Sequence, residues 1–225
     1  MKEVLGSLKD NGLELSSLHA PFYFSVQEAR ARRFLTLSSP DPLVREAALQ
    51  EIELLIDGLQ VIGSIPMVLH TGLTASEDDP RLEETLLKGV SKLLPLCRSA
   101  GLLIALENGP GPKAGCAKIM ELVRAFDEKD VGICLDTGHS NIVGSLLSDL
   151  SISAPRLLSI HVHDNDGRED QHRPPFSGSI PWGEFMSALR KMEYRGPFIM
   201  ETAGDLQPHL SLQETVRSMA KLGFP

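Results

Sequence analysis

The sequence predicts an α/β fold in which parallel strands curl towards a barrel, and three observations carry that reading. Six short, near-continuously apolar runs recur along the chain. Stretches with apolar residues at helical spacing separate them, the alternation expected of a parallel sheet covered on both faces. Each apolar run also ends in histidine, aspartate or glutamate, whereas an open doubly wound sheet needs such residues only beside its switch point.

Residues 1–11 read as the end of a helix stopped by Asn11-Gly12. Leu13 to Leu18 alternates and exits at His19. Ser39-Pro40-Asp41-Pro42 then supplies cap and first-turn residues, and Leu43, Ala47, Ile52, Leu55, Ile56 and Leu59 extend a helix to the region of Gly63. Ile65 to Leu69 is the second strand and exits at His70. A helix from Pro80 to Ser99, apolar at Leu82, Leu86, Val90, Leu93 and Leu94, stops at Gly101. Leu102 to Leu106 exits at Glu107-Asn108.

Ala117 to Phe126 reads as helix, and Val131 to Leu135 exits at Asp136-Thr-Gly-His139. A weaker helix over Leu146–Ile152 precedes the strand Leu157–Ile160, which exits at His161. The stretch from Asp164 to Ile180 is a long loop rich in Gly, Pro and charge, a type of connection that is usually functional in a compact protein. Trp182 to Met192 is amphipathic, and Phe198 to Met200 exits at Glu201.

The length of 225 residues suits one domain with a substantial core. No apolar run is long enough to cross a bilayer, and the mixed-charge start lacks the apolar segment of a secretory signal, so a cytoplasmic address is expected. Cys97, Cys116 and Cys134 are odd in number and widely spaced, the pattern of reduced packing residues. The net charge is −8 with Lys and Arg scattered, which weighs against nucleic acid as a partner.

Collected, the strand exits are His19, His70, Glu107, Asp136, His161 and Glu201, with His139, Asp170 and His172 in adjacent loops. Taken singly, each histidine is more often a hydrogen-bonded structural residue, and each glutamate could be ion-paired. Their conjunction is different, because carboxylates at the ends of apolar strands are costly unless something positive meets them. Lys113 and Arg156, the nearest cations in sequence, lie away from the strand exits. A divalent cation is the economical partner, and oxygen and imidazole ligands without thiolate suit Zn, Mn, Co or Mg. His163, two residues beyond His161, reads as packing or as support for a ligand.

The segments Leu-His-Ala-Pro, Ala-Leu-Glu-Asn, Leu-Asp-Thr-Gly-His, His-Val-His-Asp-Asn-Asp-Gly, Asp-Gln-His-Arg-Pro-Pro and Met-Glu-Thr occur in this order. Together they resemble the xylose isomerase-like TIM-barrel superfamily, over nearly the whole chain. That superfamily holds sugar and sugar-phosphate isomerases and epimerases as well as endonuclease IV. The resemblance implies a (β/α)8 TIM barrel in which Leu13–His19 matches the third strand, so roughly the first two are lacking from the single domain 1–225. The expectation is that the reading frame begins upstream of Met1, or that a partner chain or dimer contact covers the gap.

Residue by residue, the resemblance implies one metal held by Glu107, Asp136, His161 and Glu201. His19, His70, His139, Asp170 and His172 match the positions that hold further zinc in the endonuclease branch, or that meet the substrate in a sugar enzyme. The implied activity is a metal-dependent sugar or sugar-phosphate isomerase or epimerase. The metal would bind the carbonyl and neighbouring hydroxyl oxygens and stabilise an enediolate, while Glu107 and Glu201 move the proton and His139 orients a hydroxyl.

Asp164-Asn-Asp-Gly167, His172-Arg-Pro-Pro175, Ile180-Pro-Trp182 and Glu184-Phe185 lean to this branch, whereas Ser177-Gly178-Ser179 stands where both branches commonly carry Gly-Glu-Gly. The alternatives are a zinc phosphodiesterase acting on abasic DNA and a metal-binding barrel without catalysis.

Overall fold

The computed structural model describes residues 2–31, 33–57, 59, 64–73, 80–111, 113–202 and 208–223. Its centre is a six-stranded parallel sheet in continuous order, β1 (Leu18–His19), β2 (Ile65–His70), β3 (Leu102–Glu107), β4 (Val131–Asp136), β5 (Leu157–Val162) and β6 (Phe198–Met200). Each strand pairs with the next in sequence, so the ligand-type residues at the exits become spatial neighbours. His70 is registered with Glu107, and Asp136 with His161.

Strand parity decides what faces where. Met67, Leu69, Ile104, Leu106, Ile133, Leu135 and Ile160 join the main core, with α4 (Pro80–Ala100), α5 (Cys116–Val123) and α8 (Trp182–Lys191) contributing Leu86, Val90, Ile119 and Phe185. The opposite parity holds small side chains, Val68, Ala105 and Cys134, in a separate cluster. His70, Glu107 and Asp136 continue that second face, each two residues further along its strand. Beneath the polar exits lies a narrow apolar floor. The three cysteines are free and buried, and burial pushes each thiol up to about 12, so Cys134 offers no thiolate.

The strand expected over Leu13–Leu18 forms only at its end. Ala20 donates its N–H to the Val68 carbonyl, so even-numbered residues of β2 face β1, and Pro66 has no N–H to extend that ladder backwards. The Ser17 hydroxyl takes the Pro66 carbonyl at 3.3 Å instead. β1 and β6 are the edges of the sheet among the described residues, and a closed barrel of this type has eight strands.

The helices follow the sequence closely, with corrections at their ends. α1 (Lys2–Asp10) is stopped by Gly12 at φ +66, and α3 (Pro42–Ile56) is capped by Asp41, whose side chain accepts from the Leu43 N–H at 2.8 Å. α3 closes at Ile56 rather than running to Gly63, and residues 60–63 lie outside those described. α2 (Val26–Arg30), α6 (Thr137–Ile142) and α9 (Pro208–Leu222) were not expected, while α7 (Leu146–Ser153) was. The two short ones have too few residues to show a period. Among the described residues no helix is long and apolar enough to cross a membrane.

Candidate metal centre

All nine residues singled out in the sequence meet at one end of the sheet. Glu107 is the hub: its Oε2 lies 3.1 Å from His70 Nε2 and 3.5 Å from both His19 Nε2 and His161 Nδ1. His161 Nδ1 is 3.2 Å from Glu201 Oε1. Glu107, Asp136, His161 and Glu201 each offer a ligand atom within 4.8 Å of the others, as do His19, Glu107 and His161.

Glu107, Asp136 and His161 are fully or nearly buried, whereas the Glu201, His19 and His70 side chains are 25%, 30% and 33% exposed and those of Asp170 and His172 37% and 35%. Asp170 bridges the outer histidines, with Oδ2 3.4 Å from His139 Nε2 and 3.2 Å from His172 Nε2.

Two features test whether a cation fits. Glu107 Oε2 and His161 Nδ1 are buried without a hydrogen bond, because their neighbours approach at unsuitable angles. Such orphans call for an ion or another unseen partner. Three imidazoles also have their tautomer set by the backbone. His19 Nδ1 meets the Ala20 carbonyl at 2.8 Å, His139 Nδ1 the Asn108 carbonyl at 2.7 Å, and His172 Nδ1 the Glu201 carbonyl at 2.8 Å. A carbonyl only accepts, so each Nδ1 carries a proton and each Nε2 is turned into the cluster, His19 towards Glu107 and His139 and His172 towards Asp170. The donor set therefore fits a divalent cation of the Zn, Mn, Co or Mg type.

Without metal the groups lean on one another. Burial would raise the Glu107 carboxyl, but His70, and then His161 and His19, hold it well below the ordinary range. Burial would lower His139; Asp136 and then Asp170 overcome it and push the imidazole to about 10. The hydrogen bond to Asp170 is the main cause that lifts His172 to about 9. Partial burial opposes the shift at Asp170, yet its bonds to His139 and His172 hold it far below 3.8.

His163 is completely buried, with Nε2 3.1 Å from both Asp136 oxygens. Its ring thus stands behind the Asp136 carboxylate, where it would support that group as a ligand. It also approaches His172 and Glu201 closely enough to resemble a metal group, but its ring is stacked on His172 at 3.9 Å with an angle of 11°. Stacked rings point their lone pairs in parallel rather than at one centre, so this trio is no cage.

Several supporting residues carried no assignment in the sequence. The Asn108 side chain accepts from the Asp136 N–H at 2.6 Å and donates to Ser140 Oγ at 3.1 Å, and that hydroxyl donates to the buried Asp149 at 2.8 Å. Asn108 thus spaces β3 from β4 at the exits while its carbonyl holds His139. Its position directly after Glu107 was the available signal. Asp136 itself caps α6, its Oδ1 accepting from the His139 N–H at 2.7 Å.

The centre opens into a cleft of about 770 Å³ whose lining includes His19, His70, Glu107, His139 and Glu201. Phe22, Tyr23 and Phe34 give it an aromatic flank, with Phe22 stacked on His70 at 4.2 Å.

Comparison with known proteins agrees with this architecture. A solved D-tagatose 3-epimerase-like protein superposes with a TM-score of 0.79 at 22% identity, covering 99% of this chain and 80% of that one. D-psicose 3-epimerase with D-tagatose from Clostridium cellulolyticum H10 gives 0.72 at 19% identity, covering 99% and 82%. At these identities the likeness shows the fold alone. A probable endonuclease 4 of Mesomycoplasma hyopneumoniae is 26% identical over 190 residues, 78% of this chain and 63% of that protein. The chain spans from 54% to 63% of the length of several curated relatives it matches. The family model described as xylose isomerase-like TIM barrel matches residues 1–222, and the chain belongs to that family.

Proposed function

We propose that the protein is a divalent-metal-dependent isomerase or epimerase of a sugar or sugar phosphate, with residues 1–225 forming one domain. The observation that carries this reading is the placement of two carboxylates, Glu107 and Glu201, around His161, at the floor of a cleft with an aromatic flank. The sugar epimerases among its structural neighbours support it.

Glu107, Asp136, His161 and Glu201 would hold the metal. Once bound, a divalent cation supplies Lewis acidity to a carbonyl and its neighbouring hydroxyl, which makes the adjoining C–H acidic. Glu107 and Glu201 take that proton and return it. Return to the opposite face of the planar carbon inverts it, as in an epimerase, whereas return to the neighbouring carbon exchanges aldose and ketose. His139, with its Nδ1–H committed to Asn108, offers Nε2 to a substrate hydroxyl. Asp170 and His172 reach over the outer hydroxyls, and Phe22, Tyr23 and Phe34 suit the apolar C–H face of a sugar.

The test is solvent exchange: the protein loaded with Mn²⁺ is incubated with unphosphorylated and phosphorylated ketoses in deuterated water and followed by NMR. Deuterium at the carbon next to the carbonyl, with one metal per chain, is the expected result. No exchange with any ketose would overturn the proposal.

One observation favours a second reading. His19, His139 and His172 all turn Nε2 into the cluster beside Glu107 or Asp170, which offers ligands beyond one four-residue site. With the endonuclease 4 relatives, that would suit a three-zinc phosphodiesterase, although the net charge of −8 opposes a polyanion. Three zinc ions per chain and nicking of an abasic duplex would establish it in place of the first.

A further inference from the structure

We infer that Asp164 is a positioning residue whose carboxylate clamps both ends of the long loop that follows it, and so fixes Asp170 and His172 before any ligand arrives. Its significance rests on the reading above, in which those two side chains meet the ligand.

The Asp164 side chain is completely buried, and four N–H groups fill its two oxygens. Oδ1 accepts from the Asn165 N–H at 2.9 Å and the Ile180 N–H at 3.2 Å. Oδ2 accepts from the Gly178 N–H at 3.0 Å and the Trp182 indole N–H at 2.8 Å. One donor stands at the loop's entrance and three at its exit. A carboxylate is suited to this because it accepts only, and bonds to a charged acceptor are stronger than neutral ones.

The backbone of Asp164 also pairs with Arg173, N–H to carbonyl in both directions at 2.7 and 2.9 Å. That pinch lies one residue beyond His172, which sits at φ +46, a conformation that a non-glycine residue holds only when its surroundings enforce it.

Asn165 extends the clamp to the helix that carries His139. Its Nδ2 donates to the Gly138 carbonyl at 2.9 Å, and its Oδ1 accepts from Asn141 Nδ2 at 2.7 Å and from the Gly167 N–H at 2.9 Å. Gly178 is a requirement of the same node, since a Cβ there would collide with the Asn165 carbonyl and Asp164 Oδ1. The helix that carries His139 and the loop that carries Asp170 and His172 are thus tied to adjacent residues of one short segment.

The experiment compares wild type, Asp164→Asn and Trp182→Phe as metal-free proteins, by hydrogen exchange and by the rate at which diethyl pyrocarbonate modifies each histidine, read by mass spectrometry. Asp164→Asn sets an NH2 against N–H donors. Exchange over residues 166–179 and modification of His172 should each rise about tenfold, as expected when a buried bond to a charged acceptor is lost, with β4 and β5 amides unchanged.

Trp182→Phe removes one donor and keeps an aromatic ring in the site, so it should give the same pattern at smaller amplitude. Should Asp164→Asn melt the whole sheet, Trp182→Phe decides alone. Unchanged loop exchange and His172 reactivity in Trp182→Phe would overturn the inference, as would an equal rise in β4 and β5. Neither readout uses metal or substrate, so a failed ketose assay would remove the functional reading and leave this result standing.

Discussion

Glu107, Asp136 and His161 stand in the sheet, whereas Asp170 and His172 stand on a loop, and the two groups are held by different physics. The inner three lie at or next to the ends of consecutive strands, where ladder register sets their spacing and burial leaves them 4%, 0% and 2% exposed. The outer two have about a third of their side-chain surface free and are placed by their bond to each other, by the bond of His172 to the Glu201 carbonyl, and by a loop whose exit bonds to Asp164. A ladder transmits position through many backbone bonds at once, while a loop held by one buried carboxylate depends on a few. The inner group is therefore suited to chemistry that tolerates little misplacement, and the outer group to recognition.

The sharpest way to break this comparison is at its inner pole. Glu107→Gln keeps the shape but removes both charge and base, and ketose deuterium exchange should fall about 10³-fold, within the range for a lost general base. Exchange within tenfold of wild type would place the base elsewhere.

Next in size, His163→Phe keeps the ring stacked on His172 and loses the hydrogen bond to Asp136. Mn²⁺ affinity by calorimetry should weaken by about 10–100-fold, the usual effect of losing a bond behind a metal ligand. An unchanged affinity would make His163 a packing residue.

At the outer pole, Asp170→Asn should raise the ketose KM about tenfold, the scale of one charge-assisted hydrogen bond, with kcat altered less. A fall in kcat with KM unchanged would move Asp170 into the chemistry.

The smallest effect is on the pH dependence of stability. His139 and His172, raised from 6.5 to about 10 and about 9, contribute stability that is complete below pH 6.5 and lost as pH climbs through those values. Asp170, depressed below 3.8, contributes above pH 3.8 and loses that contribution as pH falls. This cluster is thus most stabilising between pH 3.8 and 6.5 in the metal-free protein. Its Tm should decline towards pH 10, and the decline should flatten with Mn²⁺, which takes neutral imidazoles. Scanning calorimetry of His139→Asn should show a shallower alkaline decline; an identical slope would remove the cluster from the account.

Much of this molecule is legible in order along its chain. Among the described residues the six strands and six of the helices follow from apolar period and stop signals, and so do the exits that place His19, His70, Glu107, Asp136, His161 and Glu201 at one end. Asp164 and Asn108 stood in plain view beside predicted ligands without a role, because a hydrogen-bond partner far away in sequence leaves no periodic trace. The shortness of β1 was hidden for a related reason, since the residue that limits it, Pro66, lies on the neighbouring strand.

The sequence by itself determined which residues reach the ends of strands, because an alternation of two and a helical period are local properties of the backbone. Only the tertiary structure decided which exits touch, which ring nitrogen each histidine turns inwards, and that one buried carboxylate closes the loop over them. Those depend on ladder register and on hydrogen bonds between residues that folding alone brings together.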